Sequence, residues 1–252
     1  MRLKIAVGLV AVVTGACNAR KESSEPKIFG GTQSSPGAWP SAVAITYNGV
    51  MACTGTAIHP QVVITAAHCL RLESNETPAV YVGGGVDGGQ VSPQYQAARY
   101  RVPTDEFGFQ KQDIGYILLD RPLDLPADAY VPILLSPAEI SEVLVPGRTA
   151  RLVGFGLRNG GKSGSKYETD ATITRVWTTG ADIGGDGRDA CVGDSGGPAY
   201  AQLSNGQWRV FGVASTGGGC RYGGTWELMR PEICWVQTDS GINLNLPEGT
   251  CS

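Results

Sequence analysis

Charged side chains are scarce in this sequence. Asp, Glu, Lys and Arg make up 17% of its 252 residues, below the usual quarter, and leave a net charge of −3. A surface that binds nucleic acid needs clustered cations, so this balance argues against nucleic acid as a partner. Histidine is rarer still, because only His59 and His68 occur. Any chemistry that needs an imidazole therefore has two candidates.

Long apolar runs and long helix-favouring runs are also missing. The apolar stretch at residues 5–13 would rise about 14 Å as a helix, whereas a bilayer core is about 30 Å thick. No Gly-X-Y period and no internal repeat is visible, which excludes collagen-like and repeat folds. The chain has instead 36 glycines and many short Val, Ile, Thr and Tyr stretches between glycine and proline clusters. This pattern predicts an all-β fold with few short helices.

The first residues have the pattern of an export signal. Arg2 and Lys4 precede the apolar run, and the small residues 14–16 follow it. A basic start, a short apolar core and a small-residue end are typical of a secretory signal peptide. We therefore expect residues 1–17 to be a signal peptide and the protein to be secreted, periplasmic or attached to the cell envelope.

Cys17 ends this segment and has two interpretations. The Gly-Ala-Cys ending is typical of bacterial lipoprotein cleavage sites, which predicts a lipid anchor on Cys17. The alternative is ordinary cleavage near Ala16 or Ala19. Residues 18–27 (NARKESSEPK) are polar and have no apolar periodicity, so they are expected to form a flexible leader. The β-like pattern starts at Ile28.

Three motifs further along carry residue types suited to nucleophilic catalysis. Residues 193–198 (GDSGGP) place a serine between glycines, where a substrate can approach the backbone closely. Residues 62–69 (VVITAAHC) deliver a histidine at the end of a β-branched strand, and residues 112–120 (QDIGYILLD) open an apolar strand with an aspartate. A glycine-rich serine turn alone is compatible with a structural loop. A buried aspartate needs hydrogen-bond partners, which an imidazole could supply.

Together these motifs resemble the trypsin/chymotrypsin family of serine endopeptidases, in the order His, Asp, Ser. Residues 28–31 (IFGG) are similar to the family's mature N-terminus, and residues 212–217 (GVASTG) to its substrate-binding strand. The resemblance implies two antiparallel β-barrels packed side by side with the active site between them. It implies a peptidase domain over residues 28–252, with barrels at roughly 28–130 and 131–240.

The resemblance also implies a role for each residue of a catalytic triad. Ser195 is the expected nucleophile, His68 the general base and acid, and Asp113 the carboxylate that orients the imidazole. The backbone N–H groups of Gly193 and Ser195 are the expected oxyanion hole. His59 lies in a turn and is interpreted as solvated. Asp113 is preferred over the other carboxylates because it alone leads the apolar strand; those others are Asp120, Asp124, Asp182 and Asp186.

The family's primary pocket corresponds to residues around Asp189, six positions before the serine. A carboxylate at the base of a narrow slot selects Arg or Lys side chains, because an unpaired buried charge is costly. The alternative is a loop aspartate near Arg188. Thr216 stands where relatives commonly carry tryptophan, so preferences outside this pocket are left open. The residues implied to bind substrate are Asp189, Ala190, Ser215, Gly217 and Gly224, the last chosen from the pair Gly223-Gly224.

Activation in this family requires a new N-terminus, here at the bond between Lys27 and Ile28. Cleavage there would free the α-amino group of Ile28 to pair with Asp194. Residues 18–27 would then be an activation peptide, and the uncleaved chain would be a zymogen.

Seven cysteines occur in a chain that is expected to be exported, which favours disulfides. The resemblance implies Cys53 with Cys69 and Cys191 with Cys220, which leaves Cys234 with Cys251 and an odd Cys17. No metal or cofactor is expected, since CxxC and HExxH spacings are absent. A calcium site near residues 73–76 stays open beside the alternative of solvated acids.

The resulting expectation is a monomeric, exported serine endopeptidase that cleaves protein or peptide substrates after Arg or Lys. The alternative from another functional class is a catalytically inactive binding or adhesion module on the same scaffold. The unusual sequence of residues 221–252 favours that alternative, and the intact triad and oxyanion positions oppose it.

Overall fold

The structure, a computed structural model, describes residues 28–72, 76–85, 94–105, 107–157 and 163–251. The predicted signal peptide, the leader, Cys17 and Lys27 lie outside these described residues, and so do positions 73–75 of the segment considered for calcium. Across the described ranges, none of the helices combines the length and the apolar character needed to span a bilayer.

Strands dominate the described part of the chain. Two short α-helices, α1 (Pro137–Val143) and α2 (Ile233–Ser240), accompany them, with 3₁₀ turns at Ala67–Leu70, Ala127–Ala129 and Arg230–Glu232. The strands are β1 (Thr32–Gln33), β2 (Ala42–Tyr47), β3 (Val50–His59), β4 (Val62–Thr65), β5 (Pro78–Tyr81), β6 (Gln94–Arg101), β7 (Gly115–Leu119), β8 (Thr149–Gly154), β9 (Tyr167–Val176), β10 (Gly180–Ile183), β11 (Pro198–Gln202), β12 (Trp208–Gly217) and β13 (Gly224–Leu228).

The first barrel closes in the strand order β2-β3-β4-β7-β6-β5, with antiparallel neighbours throughout. Its opening hairpin turns at Asn48 and Gly49, whose φ angles of 51° and 81° match the two-residue turn that suits twisted strands. All four side chains of β4 are buried, because this strand is covered on both faces. A rigid strand of this kind gives the histidine that follows it a fixed position.

The second barrel is built from β8 to β13. Strand β8 pairs with both β9 and β11 and so closes the sheet β8-β9-β10-β13-β12-β11. Strand β1, although first in the chain, pairs with β9 of this second barrel, which chain order alone did not indicate. Two six-stranded antiparallel barrels with few short helices confirm the predicted fold class.

Helix α2 follows the second barrel and packs against the first. The ring centroids of Tyr116 in β7 and Trp235 in α2 are 5.5 Å apart, and the Tyr116 hydroxyl donates to the Asp239 carboxylate. A disulfide joins Cys234 of the same helix to Cys251, and the tail between them covers the same apolar cluster with every second side chain. Those tail side chains are Ile242, Leu244 and Leu246.

Candidate active site

His68 and Asp113 meet because of the pairing between β4 and β7. Thr65 lies opposite Gly115 in that pair, so the histidine three residues after one strand faces the aspartate just before the other. The two residues make a double contact. His68 Nδ1 lies 2.7 Å from Asp113 Oδ2, and the His68 backbone N–H donates to Asp113 Oδ1 at 2.9 Å. With Nδ1 held by the carboxylate, Nε2 is the ring nitrogen left for proton transfer.

The Asp113 carboxylate is secured from a third side. The Ser215 hydroxyl donates to Asp113 Oδ2 at 2.6 Å. Burial favours the neutral acid, but the hydrogen bonds from His68 and Ser215 outweigh it and lower the pKa of Asp113 to about 2. The carboxylate is therefore ionised at every pH at which the protein would work, and it can stabilise a protonated imidazole.

The serine turn lies between the barrels and depends on two glycines. Gly193 and Gly196 have φ angles of 91° and 81°, in the region that favours glycine. A Cβ on Gly196 would lie 2.0 Å from the Thr65 hydroxyl and 2.4 Å from the Thr54 carbonyl oxygen. The turn is thus pressed against the first barrel. Its backbone is fixed further by the Thr54 N–H, which donates to the Ser195 carbonyl at 2.9 Å.

Ser195 also lines a pocket of about 160 Å³ in the second barrel. The carboxylate of Asp189 is 1% exposed there, and it accepts N–H groups from Ala190 at 2.8 Å and Gly223 at 2.6 Å. Burial raises the pKa of Asp189, and backbone hydrogen bonds partly offset the rise. All five pocket residues predicted from the sequence line this pocket; they are Asp189, Ala190, Ser215, Gly217 and Gly224.

Comparison with protein families matches residues 28–231 to the family model described as Trypsin. The chain belongs to the trypsin family. The resemblance drawn from the sequence is thereby confirmed, and the fold and the serine-protease class follow from it. The match ends at residue 231, so helix α2 and the disulfide-linked tail lie beyond the part that the family model covers.

Asp194, which the family would pair with a freed α-amino group, is fully buried beside the serine turn. Its oxygens accept N–H groups from Gly156 at 2.7 Å and Cys191 at 2.8 Å. Burial raises the pKa of Asp194 to about 7, although these two hydrogen bonds lower it. Ile28 is 2% exposed, and the Phe29 carbonyl accepts the Asp189 N–H at 2.8 Å. The start of the described chain is therefore packed against the pocket loop.

The disulfides of this trypsin-family chain match the three pairs expected from its sequence. They join Cys53 to Cys69 beside the histidine, Cys191 to Cys220 across the pocket, and Cys234 to Cys251. In the described part of the chain, Cys53, Cys69 and His68 are the metal-ligand types that come closest together. Because those two sulfurs are bonded to each other, they are not thiolates and this cluster does not fit a metal.

The competing residues take other places. Asp120, Asp124 and Asp186 are exposed, and Asp182 forms an ion pair with Arg175 at 2.9 Å. His59 lies in a turn, where its Nδ1 accepts the Gln61 N–H at 3.2 Å. The interpretation of His59 as solvated holds only in part, because His59 is half-buried.

Sequence reasoning missed two features of the site. Trp226 and Thr225 line the pocket because β13 pairs with β12, a register that the sequence does not display. Gln112, next to Asp113, donates its side-chain N–H to Glu227 of β13 at 2.9 Å. Burial raises the pKa of Glu227, as does the charge of Asp113. The sequence of β13 contains a single acid, but it does not indicate that Gln112 is the partner of Glu227.

Proposed function

We propose that this serine protease is an exported endopeptidase that hydrolyses peptide bonds after Arg or Lys and is made as a zymogen. The observation that carries the proposal is the contact of 2.7 Å between His68 and Asp113, close in the fold to a pocket that has Ser195 at its rim and a buried carboxylate at its base. Such a pair activates a serine, and such a pocket selects a cation.

The proposed reaction gives each of these groups a role. Ser195 Oγ attacks the substrate carbonyl carbon while His68 Nε2 takes its proton, and the N–H groups of Gly193 and Ser195 stabilise the oxyanion. The C–N bond then breaks and His68 returns the proton to the leaving amine. Water repeats the sequence on the acyl-enzyme and frees Ser195. Asp113 holds the imidazole and balances its transient charge throughout.

A fluorophosphonate probe tests this proposal directly. The phosphorus bonds to an activated serine oxygen and fluoride leaves, so labelling reports the nucleophile without any assumption about substrate. We expect the cleaved protein to be labelled at Ser195 and a heat-denatured control to remain unlabelled. Folded, cleaved protein that stays unlabelled would favour the binding or adhesion module instead.

The pH profile should report the proposed base. We expect kcat/KM to rise with pH along a single ionisation, because only the neutral imidazole can accept the proton from Ser195. Asp113 does not contribute to this rise in kcat/KM, because its low pKa in the folded protein keeps it ionised until the pH falls toward about 2. The contribution of the ionised carboxylate to folding stability is present above about pH 4, the ordinary pKa of an aspartate, and is lost as the pH falls toward about 2. A flat profile from pH 5 to pH 8 would contradict the role of His68.

Arg should be preferred to Lys in the primary pocket. A guanidinium reaches Asp189 with a fork of donors, whereas the shorter ammonium gains from a neighbouring hydroxyl that Ala190 does not supply. We expect kcat/KM about tenfold higher for Arg, or roughly 1.4 kcal/mol, in matched peptides. The variant Ala190→Ser adds the hydroxyl and should narrow the ratio. Equal turnover of both peptides by the natural protein would remove this argument.

Activation should depend on the bond after Lys27. Before cleavage no α-amino group exists at Ile28. Among the described residues, the buried Asp194 carboxylate accepts only backbone N–H groups, so it would lack the cation that we propose orders the oxyanion turn. An uncleavable Lys27→Gln precursor should therefore be less active by a factor on the order of 10² to 10³. Lys27→Arg is the matched control and should activate normally. Full activity of the glutamine variant would contradict the zymogen proposal.

Export and anchoring complete the proposal. Residues 1–17 would direct secretion, residues 18–27 would be the activation peptide, and a lipid on Cys17 would hold the precursor at a membrane until the same cut releases the domain of residues 28–252. N-terminal sequencing and mass measurement of the exported protein separate these possibilities. A diacylglyceryl mass on Cys17 supports the anchor, whereas an exported precursor that was cleaved near Ala16 or Ala19 and lacks that mass would contradict it.

A further inference from the structure

Thr54 is a buried threonine that the proposed mechanism does not use. It lies in β3 of the first barrel and is completely buried. Its hydroxyl donates to the Gly193 carbonyl at 2.9 Å and accepts the backbone N–H of Phe155 at 3.1 Å. One side chain of the first barrel therefore joins two backbone segments of the second.

The backbone of the same residue reaches the same turn. The Thr54 N–H donates to the Ser195 carbonyl at 2.9 Å, so the carbonyls on both sides of Asp194 bond to residue 54. The Thr54 carbonyl in turn accepts the Thr65 hydroxyl at 2.9 Å, which ties the contact to β4. The hydroxyl, the N–H and the carbonyl of Thr54 all form hydrogen bonds. The hydroxyl and the N–H bond to the second barrel, and the carbonyl bonds to the first.

These contacts act on the groups expected to hold the oxyanion. The Gly193 N–H belongs to the peptide that joins Val192 to Gly193, and its direction relative to the Gly193 carbonyl depends on the φ and ψ angles of Gly193. Gly193 can adopt its φ angle of 91° because it has no side chain, and for the same reason its backbone is free to rotate unless other contacts hold it. The hydrogen bond from Thr54 to the Gly193 carbonyl, together with the Asp194 N–H that donates to Cys191 at 2.9 Å, fixes the peptide that follows Gly193.

We propose that Thr54 is a positioning residue, whose hydroxyl holds Gly193 in the orientation that binds the oxyanion of the transition state. This inference rests on the proposed function. It assigns to the first barrel, beyond the histidine and aspartate it supplies, a part in the geometry of the turn that carries the serine. It also predicts that the hydroxyl, and not the size of the side chain, is what residue 54 contributes.

Thr54→Val separates the hydroxyl from the shape. Valine has nearly the same volume but leaves the Gly193 carbonyl and the Phe155 N–H buried without this partner. Thr54→Ser keeps the hydroxyl and is the rescue variant. Thr56→Val is the matched control. Thr56 is two residues along the same strand and is equally buried, and its hydroxyl has no hydrogen-bond partner among the described residues.

The measurement separates kcat from KM on the cleaved protein, with an Arg peptide amide as substrate. We expect Thr54→Val to lower kcat by about 10- to 100-fold while KM changes less than about twofold. A peptide aldehyde forms an oxyanion adduct and should bind more weakly by a similar factor. Benzamidine, which only fills the pocket, should bind as before. Thr54→Ser and Thr56→Val should both resemble the natural protein.

Several outcomes would overturn the inference. An unchanged kcat in Thr54→Val would do so, as would equal losses of aldehyde and benzamidine binding, which indicate a general structural defect. If the valine variant does not fold, Thr54→Ala, which leaves room for a water, takes its place, and a natural kcat in that variant counts against Thr54. An inactive natural protein would instead overturn the proposed function, and this inference with it.

Discussion

Ser195→Ala is expected to lower kcat by roughly 10⁴- to 10⁶-fold, the largest effect of any single substitution in this chain. The reason is that no acyl-enzyme can form without Oγ, so only the oxyanion donors and substrate binding remain. The fold should be unaffected, because the hydrogen bonds that Ser195 makes with other described residues involve its backbone carbonyl. Steady-state hydrolysis of an Arg peptide amide, with active-site titration of the natural protein, measures the ratio.

Two controls make this loss interpretable. Ser204→Ala changes an exposed serine in the turn that follows β11 and should leave kcat within about twofold, as surface substitutions usually do. Benzamidine should bind Ser195→Ala with its ordinary affinity, since the pocket is intact. Residual activity above about one hundredth of the natural rate, freed of contaminating protease, would contradict the role of Ser195 as nucleophile.

Asp189→Ser is expected to lower kcat/KM for both Arg and Lys substrates by about 10³- to 10⁵-fold. The substitution leaves a substrate cation to be buried without an opposite charge, which is costly. For peptides with a small apolar side chain at the cleavage position, the same substitution should lower kcat/KM far less. Paired kcat/KM measurements on the two kinds of peptide isolate the electrostatic contribution of the pocket from any damage to the triad.

The control for charge is Asp186→Ser. Asp186 is an exposed carboxylate of the same loop, and its charge acts weakly on Asp189, so removal should change kcat/KM by less than about threefold. If Asp189→Ser retained its Arg preference, Asp189 would be an ordinary loop aspartate and the proposed specificity would be wrong.

The sequence predicted the site best where function is encoded locally. The motif around Ser195 and the strand before His68 are each a single continuous segment of the sequence. The structure has a tight turn at the first and a buried strand at the second. The reason suggested for the glycines was incomplete, however. Gly196 is needed chiefly because Thr65 and the Thr54 carbonyl crowd it from the first barrel, and no local pattern records the approach of another strand.

Contacts between distant segments were beyond prediction for the same reason. Strand β1 has two residues, and nothing in their sequence indicates that they pair with Glu168 and Tyr167 of the second barrel. Thr54 is an ordinary β-branched residue of a strand, the type that local propensity favours there. Its bond to Gly193 spans 139 positions and depends on how two barrels dock, which requires knowledge of both surfaces at once.

The position of helix α2 has a consequence for how the chain is made. The first barrel ends its strands at Leu119, but the helix that covers Tyr116 begins only at Ile233. During synthesis the strands of the first barrel emerge well before their cover. That apolar face therefore stays uncovered until the helix has been made. A chain cut short before the helix would leave the face exposed and would be prone to aggregation.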